Sequence, residues 1–204
     1  MEPAFWHERW SKGQIGFHQA GVNPLLERWW ASVGAARGST VLVPLCGKSV
    51  DLRWLAAQGF AVTGVELSPV AVSALFEGSQ VTRTADGPLN VWRDGQIEVL
   101  EGDFFDVQRE GFDAFWDRAA TIALPPEIRR RYAARLARMT RTGAVGLLVS
   151  LSHDGGSGPP FSVTPDEVSA LYGVDFQVEP LGNPVPGAAP SGHATEQVFK
   201  LIRR

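Results

Sequence analysis

The amino-acid sequence predicts an α/β fold: a doubly wound, mostly parallel, seven-stranded sheet of the Rossmann-like type with an N-terminal helical lid. Residues 41–66 have the pattern strand, tight Gly turn, helix, strand and carboxylate, which is typical of a nucleotide-binding β-α-β unit. Further along the chain, apolar strand-like runs mostly alternate with helical patterns. Residues 144–151 form an almost unbroken apolar run, as expected for a buried strand.

Length and composition favour a single domain with a small-molecule ligand. At 204 residues we expect one domain over 1–204, with a lid region at 1–38 and a cofactor-binding core at 39–204. The net charge of −3 gives no basic patch for nucleic acid, and the one cysteine excludes an internal disulfide framework. Because no apolar run reaches membrane-spanning length and no cationic leader is evident, we expect a cytoplasmic monomer without membrane partners.

The N-terminal region is predicted to form an aromatic lid. Residues 5–10 and 24–33 have helical patterns, and the two glycines within 12–19 indicate a loop between them. Trp10 and Phe17 flank this loop. Large aromatic side chains usually serve a core, but a flat adenine or aromatic acceptor also favours such a wall, so both interpretations stay open for these two residues.

The first part of the core is predicted to alternate strands and helices, with strand 41–44, helix 51–58, strand 61–66 and helix 69–77. Ser68 is a suitable N-cap for the last of these helices. Residues 90–93 and 96–100 are predicted to be strands joined through the Asp94-Gly95 turn.

The second part of the core continues this alternation. Its predicted elements are a strand at 112–116, a helix at 127–139, a strand at 144–151, a helix at 164–171 and strands at 177–181 and 197–203. Pro125 and Pro126 introduce the first of these helices. The Gly/Pro-rich segments 155–160 and 182–192 are predicted to be connections, either surface loops or parts of a site rim.

The turn after the first strand indicates which cofactor the fold binds. A dinucleotide-binding fold requires the motif Gly-x-Gly-x-x-Gly in this turn, but Gly47 is the only glycine in the turn 44–49. A phosphate-binding loop needs an earlier glycine where Leu42 stands. S-Adenosylmethionine has no phosphate and needs only room and polar backbone groups here. Glu66, 19 residues after Gly47, is then predicted to bind the ribose hydroxyls, although a solvated strand-end carboxylate is the alternative.

Two further strand ends carry candidate residues. Asp103 would neighbour the adenine ring, and Phe104 would stack on or edge the base; the alternatives are a helix cap and a core aromatic. Asp117 and Arg118 follow the fourth strand, where a methyl acceptor must sit. Either these two side chains pair with one another, or Arg118 orients the cofactor carboxylate or a polar acceptor through its planar fork of donors.

The remaining polar residues predict neither a metal site nor a catalytic nucleophile. The four histidines are scattered without metal-ligand spacing. His18 has a functional interpretation, as an acceptor-binding residue, because it adjoins Phe17 in the predicted lid. Since no Cys/His or Ser/His/Asp arrangement is evident, we expect no covalent nucleophile and no obligatory acid or base.

Six short motifs together resemble the bacterial thiopurine S-methyltransferases: FWHERW at 5–10, GFHQ at 16–19, VPLCGKS at 43–49, GVELS at 64–68, WDRAA at 116–120 and GPPF at 158–161. The resemblance covers nearly the whole chain up to Phe176. It implies the seven-stranded fold of the class I S-adenosylmethionine-dependent methyltransferases. It thins in the segments 80–87 and 181–190, which are short here, and these segments bear on the acceptor rather than on the cofactor.

The resemblance also implies roles for individual residues. The residues that it places at the cofactor are Trp10, Leu45, Glu66 and Arg118. It implies that Phe104 flanks the adenine through its backbone and that Phe17 forms an aromatic wall beside the acceptor. The turn glycine Gly47 completes the predicted cofactor-binding set, together with Asp103.

The implied reaction is methyl transfer from S-adenosylmethionine to a thiopurine or an aromatic or heterocyclic thiol, with S-adenosylhomocysteine as the product. The leaving group of a sulfonium departs neutral, so in-line positioning of the two reactants is the main requirement. One alternative is a small acceptor, such as a selenium or tellurium species, a halide or hydrosulfide. The other is a protein that binds S-adenosylmethionine without turnover. A panel of acceptors separates these three hypotheses.

Overall fold

The computed structural model of the chain describes residues 3–156, 158–189 and 192–204 and groups them into two compact units. The first unit contains the described residues up to Glu27 together with Ala36–Arg109. The second contains Arg28–Ala35 and Glu110–Arg204. Among the described residues, no helix has both the length and the apolar character needed to cross a bilayer.

The first unit is a layered β-α-β structure. Its elements are α1 (Pro3–Ser11), the start of α2 (Pro24–Val33), β1 (Thr40–Pro44), α3 (Asp51–Ala57), β2 (Ala61–Glu66), α4 (Pro69–Leu75), β3 (Thr82–Asp86), β4 (Leu89–Asp94) and β5 (Ile97–Glu101). The strand order is β3-β4-β5-β2-β1, with parallel pairing of β2 to β1 and β5, and antiparallel pairing of β4 to β3 and β5. The predicted parallel unit 41–66 is therefore confirmed.

Local sequence explains where α4 begins. The side chain of Ser68 accepts a hydrogen bond from the backbone N–H of Ala71 at 3.5 Å, and a proline follows in the first turn, so the predicted N-cap is confirmed. Val72 and Leu75 on this helix are buried. Together they direct the apolar side of α4 inward and leave Ser68 at the end of β2, next to Glu66.

The second unit continues the α/β pattern. Its elements are β6 (Phe112–Asp117), α5 (Ala120–Ala123), α6 (Pro126–Met139), β7 (Thr140–His153), α7 (Pro165–Tyr172), β8 (Phe176–Ala189) and β9 (Gly192–Arg203). The strand order is β6-β7-β9-β8, with β6 and β7 parallel and the other two pairs antiparallel. Its core contains the fully buried rings of Phe115, Trp116, Tyr132, Tyr172 and Phe176.

The predicted sheet of seven strands, counted without the predicted strand at 90–93, is corrected to nine strands among the described residues. The strand that sequence analysis missed is β3, which lies within the segment 80–87. All five of its residues are exposed, so no burial pattern marked it as a strand. It pairs with β4, which the sequence did predict, and adds an antiparallel hairpin at the edge of the first unit.

The prediction that residues 182–192 form a connection was also wrong for most of that segment. β8 runs through it to Ala189, and β9 begins at Gly192, although glycine and proline are rare in strands. A register shift between Leu181 and Val185 accommodates the irregular composition. Pro190 and Ser191 lie outside the described residues, as does Ser157 in the other predicted connection, 155–160.

Replacing Gly146 with Ala is expected to destabilise the second unit. Gly146 of β7 lies opposite Phe115 of β6, and an added Cβ would stand 2.3 Å from two carbon atoms of that fully buried ring. Because the ring cannot move without disturbing the core, we expect a loss of about 3 kcal/mol in the free energy of unfolding, measured by urea denaturation.

A matched control for this variant is Gly21→Ala, since no atom lies within 4 Å of the Cβ that would be added there. We expect its free energy of unfolding to stay within about 0.5 kcal/mol of that of the unmodified chain. Equal stability of the two variants would contradict the packing argument.

Candidate functional site

Glu66 lies at the end of β2 and is tied to the backbone on both sides. Its Oε2 accepts a hydrogen bond from the N–H of Gly47, and its Oε1 accepts one from the N–H of Ser68, each at 2.8 Å. The side chain is only 6% exposed. Burial raises the pKa of this carboxyl above its usual value, while the backbone donors oppose that rise. The hydrogen bond between Gly47 and Glu66 therefore holds the turn after β1 against the end of β2.

The turn itself has an unusual backbone. Leu45 has a φ of 48°, which is uncommon for a residue with a side chain, and Gly47 has a φ of 55°. The N–H of Cys46 donates to the carbonyl oxygen of Val65 at 2.9 Å, which adds a second tie to β2. Such strained positions persist only where surrounding contacts enforce them, and they cluster at ligand sites.

Aromatic side chains from the N-terminal region pack against this turn. Trp10, at the end of α1, is buried, and its ring carbon Cζ2 would lie 3.2 Å from a Cβ on Gly47. The ring of Phe17 meets the rings of Trp10 and Trp6 edge-on, with centroids 5.7 and 5.8 Å apart. His18 follows Phe17 and donates its backbone N–H to Ile15. The first unit therefore brings Trp10 and Phe17 together with Gly47.

The end of β5 carries Asp103 and Phe104. Asp103 caps the short 3-10 turn Phe104–Asp106, since its Oδ1 accepts from the N–H of Phe105 at 2.9 Å. The ring of Phe104 is buried. The backbone N–H of Gly102 donates to the carbonyl oxygen of Glu66 at 2.9 Å, so this chain segment runs directly beside the end of β2. The capping alternative for Asp103 is therefore confirmed.

In the second unit, Asp117 at the end of β6 is fully buried and accepts several hydrogen bonds. Its Oδ2 accepts from the hydroxyls of Tyr132 at 2.8 Å and Thr121 at 2.9 Å. Its Oδ1 accepts from the backbone N–H of Ala120 at 3.0 Å. Burial raises the pKa of Asp117, and these donors oppose the rise. The carboxylate thus holds the start of α5, two residues after Arg118.

Glu196 is a further candidate that sequence analysis missed. Its side chain is half-buried in β9, and burial raises the pKa of its carboxyl while the positive charge of Arg118 lowers it. Arg118 is therefore close enough to act electrostatically on this carboxylate. The only signal in the sequence is an acidic residue within the apolar pattern of a strand, between Ala194 and Val198.

Within the ranges that the structure describes, no group of three or more His, Cys, Asp or Glu side chains is arranged to hold a metal ion. His153 instead lies with its Nε2 3.0 Å from the carbonyl oxygen of Pro160. Cys46 is buried, and burial is the main cause that raises the pKa of its thiol well above the usual value. It is a packed residue rather than a reactive thiolate.

Comparison with known proteins identifies close relatives. The family model for thiopurine S-methyltransferase matches residues 1–191. A thiopurine S-methyltransferase of Azotobacter vinelandii is 49% identical over 90% of this chain and 88% of its own length. The enzyme of that name from Pseudomonas putida strain F1 is 47% identical, with both chains covered completely.

Solved structures show the same fold at much lower sequence identity. A Burkholderia thailandensis 1,6-didemethyltoxoflavin-N1-methyltransferase, with S-adenosylhomocysteine bound, has a TM-score of 0.71 at 17% identity, covering 98% of this chain and 86% of that one. A TehB-like S-adenosylmethionine-dependent methyltransferase from Corynebacterium glutamicum has a TM-score of 0.62 at 16% identity, covering 99% and 98%. These similarities confirm the predicted Rossmann-like fold class.

Proposed function

The chain belongs to the thiopurine S-methyltransferase family, and on that premise we propose that it methylates the sulfur of a thiopurine or of an aromatic or heterocyclic thiol. It is an S-adenosylmethionine-dependent S-methyltransferase, and S-adenosylhomocysteine is its product. The observation that carries the proposal is the turn around Gly47, which is held by the buried carboxylate of Glu66 and covered by Trp10.

The proposed cofactor site is built around this turn. Backbone groups of Leu45 and Gly47 bind the amino-acid end of S-adenosylmethionine, and Glu66 accepts hydrogen bonds from the ribose hydroxyls. Asp103 and Phe104 border the adenine. Support comes from the hydrogen bond that joins the segment before Asp103 to the end of β2. Trp10 and Arg118 complete the cofactor-binding set.

The proposed acceptor-binding residues are Phe17, His18 and Arg118. Phe17 offers an aromatic surface that suits a flat heterocycle, and its edge-on contact with Trp10 fixes the orientation of that surface. Arg118 attracts and orients the anionic thiolate form of the acceptor. Catalysis then consists chiefly of holding that sulfur in line with the methyl group and away from water, so no covalent intermediate is required.

Membership of the family is also the basis on which we propose the domain organisation, the class of acceptor and the localisation. Residues 1–204 form one methyltransferase domain, in which residues 1–38 act as a lid and 39–204 bind the cofactor. The acceptor is a small molecule, as the family implies. We further propose a cytoplasmic monomer that binds neither nucleic acid nor membranes. The net charge of −3 supports the part of this proposal that concerns nucleic acid.

The test is transfer of a labelled methyl group from S-adenosylmethionine to 6-mercaptopurine, with S-adenosylhomocysteine binding followed by calorimetry on the same sample. We expect turnover, and we expect Arg118→Ala to lower kcat/KM by about 10- to 100-fold through loss of charge-assisted hydrogen bonds. The matched control is Arg130→Ala, because Arg130 is exposed on α6 and is expected to have no effect.

Unchanged kinetics and unchanged cofactor affinity in Arg118→Ala would remove that residue from the site. Binding of S-adenosylhomocysteine without turnover of 6-mercaptopurine would discard the thiopurine assignment. Selenium, tellurium, halide and hydrosulfide acceptors would then be assayed, and failure of all of them would leave a cofactor-binding protein without turnover.

A further inference from the structure

Asn23 is a buried polar residue of the first unit that makes hydrogen bonds through both its backbone and its side chain. It is only 1% exposed. Its Oδ1 accepts from the backbone N–H of Leu25 at 2.9 Å and caps the start of α2, and its carbonyl oxygen accepts from the N–H of Glu27. Because a buried amide without partners is costly, this set of contacts closely specifies where Asn23 lies.

Two further hydrogen bonds of Asn23 lead to different parts of the first unit. Its backbone N–H donates to Oδ1 of Asp51 at 2.9 Å. Its side-chain Nδ2 donates to Oε1 of Gln19 at 3.0 Å. Asp51 is the buried first residue of α3, four residues beyond the turn glycine Gly47. Asn23 therefore joins the start of α3 to the segment 17–19, which follows α1.

The segment 17–19 is thus attached at both of its ends to the region of the cofactor-binding turn. At one end, the ring of Phe17 meets the ring of Trp10 edge-on, and Trp10 packs against Gly47. At the other end, Gln19 is held by the hydrogen bonds described above. Hydrogen bonds are directional, so the second attachment fixes the placement of the segment more narrowly than the ring contact alone.

We propose that Asn23 is a positioning residue that holds the acceptor-binding side chains of the segment 17–19 at a fixed distance from the cofactor-binding turn. This inference rests on the proposed function, in which Phe17 and His18 bind the acceptor. In this role Asn23 touches neither reactant and acts through Gln19. In-line methyl transfer requires a defined distance between the acceptor sulfur and the methyl carbon, so a segment attached at one end only binds the acceptor less productively.

Capping of α2 does not account for the whole arrangement around Asn23. The cap requires only an oxygen, which a serine at this position supplies equally well. The Nδ2 donor takes no part in the cap, and its described hydrogen bond is the one to Gln19. Asn23→Ser therefore keeps the cap and removes the link, so the two roles can be separated by experiment.

The experiment first changes Gln19, because its side chain is exposed and its substitution leaves the fold intact. Gln19→Leu removes the acceptor oxygen at nearly constant size, and Gln19→Glu keeps one. We expect Gln19→Leu to raise KM for 6-mercaptopurine by about 5- to 10-fold, the effect of one lost hydrogen bond, and Gln19→Glu to stay within about 2-fold. The affinity for S-adenosylhomocysteine, measured by calorimetry, is expected to be unchanged in both.

A matched control is Gln14→Leu. Gln14 is an exposed glutamine of the same loop, and its described hydrogen bond, to the carbonyl oxygen of Arg9, is made by its backbone N–H. We expect this variant to keep both the KM for 6-mercaptopurine and the affinity for S-adenosylhomocysteine of the unmodified enzyme.

A double-mutant cycle tests whether Asn23 and Gln19 act as one unit. Asn23→Ser alone is expected to raise KM as much as Gln19→Leu does, and the variant with both changes is expected to raise it no further. Urea denaturation of the serine variant measures any loss of stability separately from the change in KM.

Several results would overturn the assignment. An unchanged KM in Gln19→Leu, an equal rise in Gln19→Glu, or effects that multiply in the double variant would each show that this hydrogen bond does not position the acceptor. A loss of S-adenosylhomocysteine affinity as large as the rise in KM would show that the bond serves the cofactor site instead. If the unmodified enzyme binds S-adenosylhomocysteine but does not methylate 6-mercaptopurine, the proposed function itself fails, and the role of Asn23 fails with it.

Discussion

Replacing Glu66 with Ala is expected to weaken the binding of S-adenosylhomocysteine by about 100-fold. The variant loses the carboxylate that we propose accepts hydrogen bonds from the ribose hydroxyls, and the turn at Gly47 loses the hydrogen bond that positions it. A 100-fold loss of affinity corresponds to about 3 kcal/mol. Calorimetric titration with S-adenosylhomocysteine measures the change.

The control is Glu77→Ala, since Glu77 is exposed just after α4. This control variant is expected to bind S-adenosylhomocysteine with unchanged affinity. An affinity for Glu66→Ala within about 3-fold of the unmodified enzyme, or less than about 0.7 kcal/mol, would show that Glu66 does not hold the ribose. A melting temperature measured for each variant separates lost binding from lost folding.

The proposed contact of Glu66 with the ribose also predicts that cofactor affinity depends on pH. Burial raises the pKa of this carboxyl above the usual 4.5, and only its ionised form accepts all of its hydrogen bonds. Protonation therefore competes with binding: affinity is constant above the raised pKa and falls as the pH drops through it. The decline begins at a higher pH than an ordinary glutamate would give, and it is expected to be absent in Glu66→Ala.

Replacing Asp117 with Ala is expected to lower the free energy of unfolding by about 4 kcal/mol. Asp117 is fully buried, and its removal leaves the hydroxyls of Thr121 and Tyr132 and the N–H of Ala120 without their acceptor. Thr121 also shares a 2.6 Å hydrogen bond with Tyr172 of α7, so the disturbance reaches a second helix. Urea denaturation measures the loss.

Two graded variants test the hydrogen-bond explanation for Asp117. Asp117→Asn keeps one acceptor oxygen, and Tyr132→Phe removes a single donor, so each is expected to cost less than the alanine variant, about 1 to 2 kcal/mol. If the asparagine variant were as unstable as the alanine variant, the negative charge rather than the hydrogen bonds would be the important feature. A loss below about 1 kcal/mol in Asp117→Ala would contradict the argument altogether.

Sequence patterns predicted the first unit well because its determinants are local. The apolar strands β1 and β2, the glycine turn between β1 and α3 and the cap at Ser68 are each visible within a few residues. β3 was missed because a fully exposed strand has no alternation of buried and exposed residues. Most of β8 was missed because its glycines and prolines indicate turns, and long-range pairing with β9 overrides that preference.

The site was predictable only in part, for a related reason. Glu66 and Gly47 could be recognised from their spacing in the β-α-β unit. The partners of Asp117 could not, because Tyr132 lies 15 residues further along the chain, and only the packing of α6 brings it close. Glu196 was missed because its proximity to Arg118 depends on the return of β9 beside β7.

The composition of β8 has a consequence for how the enzyme behaves at high concentration. β8 is the last strand in the order, and the backbone edge of such a strand is a template on which another chain can add a strand and start an aggregate. Pro180, Pro184 and Pro186 are exposed along it and have no N–H to donate. A strand of another molecule therefore cannot form a continuous ladder of hydrogen bonds along this edge. The same prolines that made β8 difficult to predict thus protect the folded enzyme from edge-to-edge association.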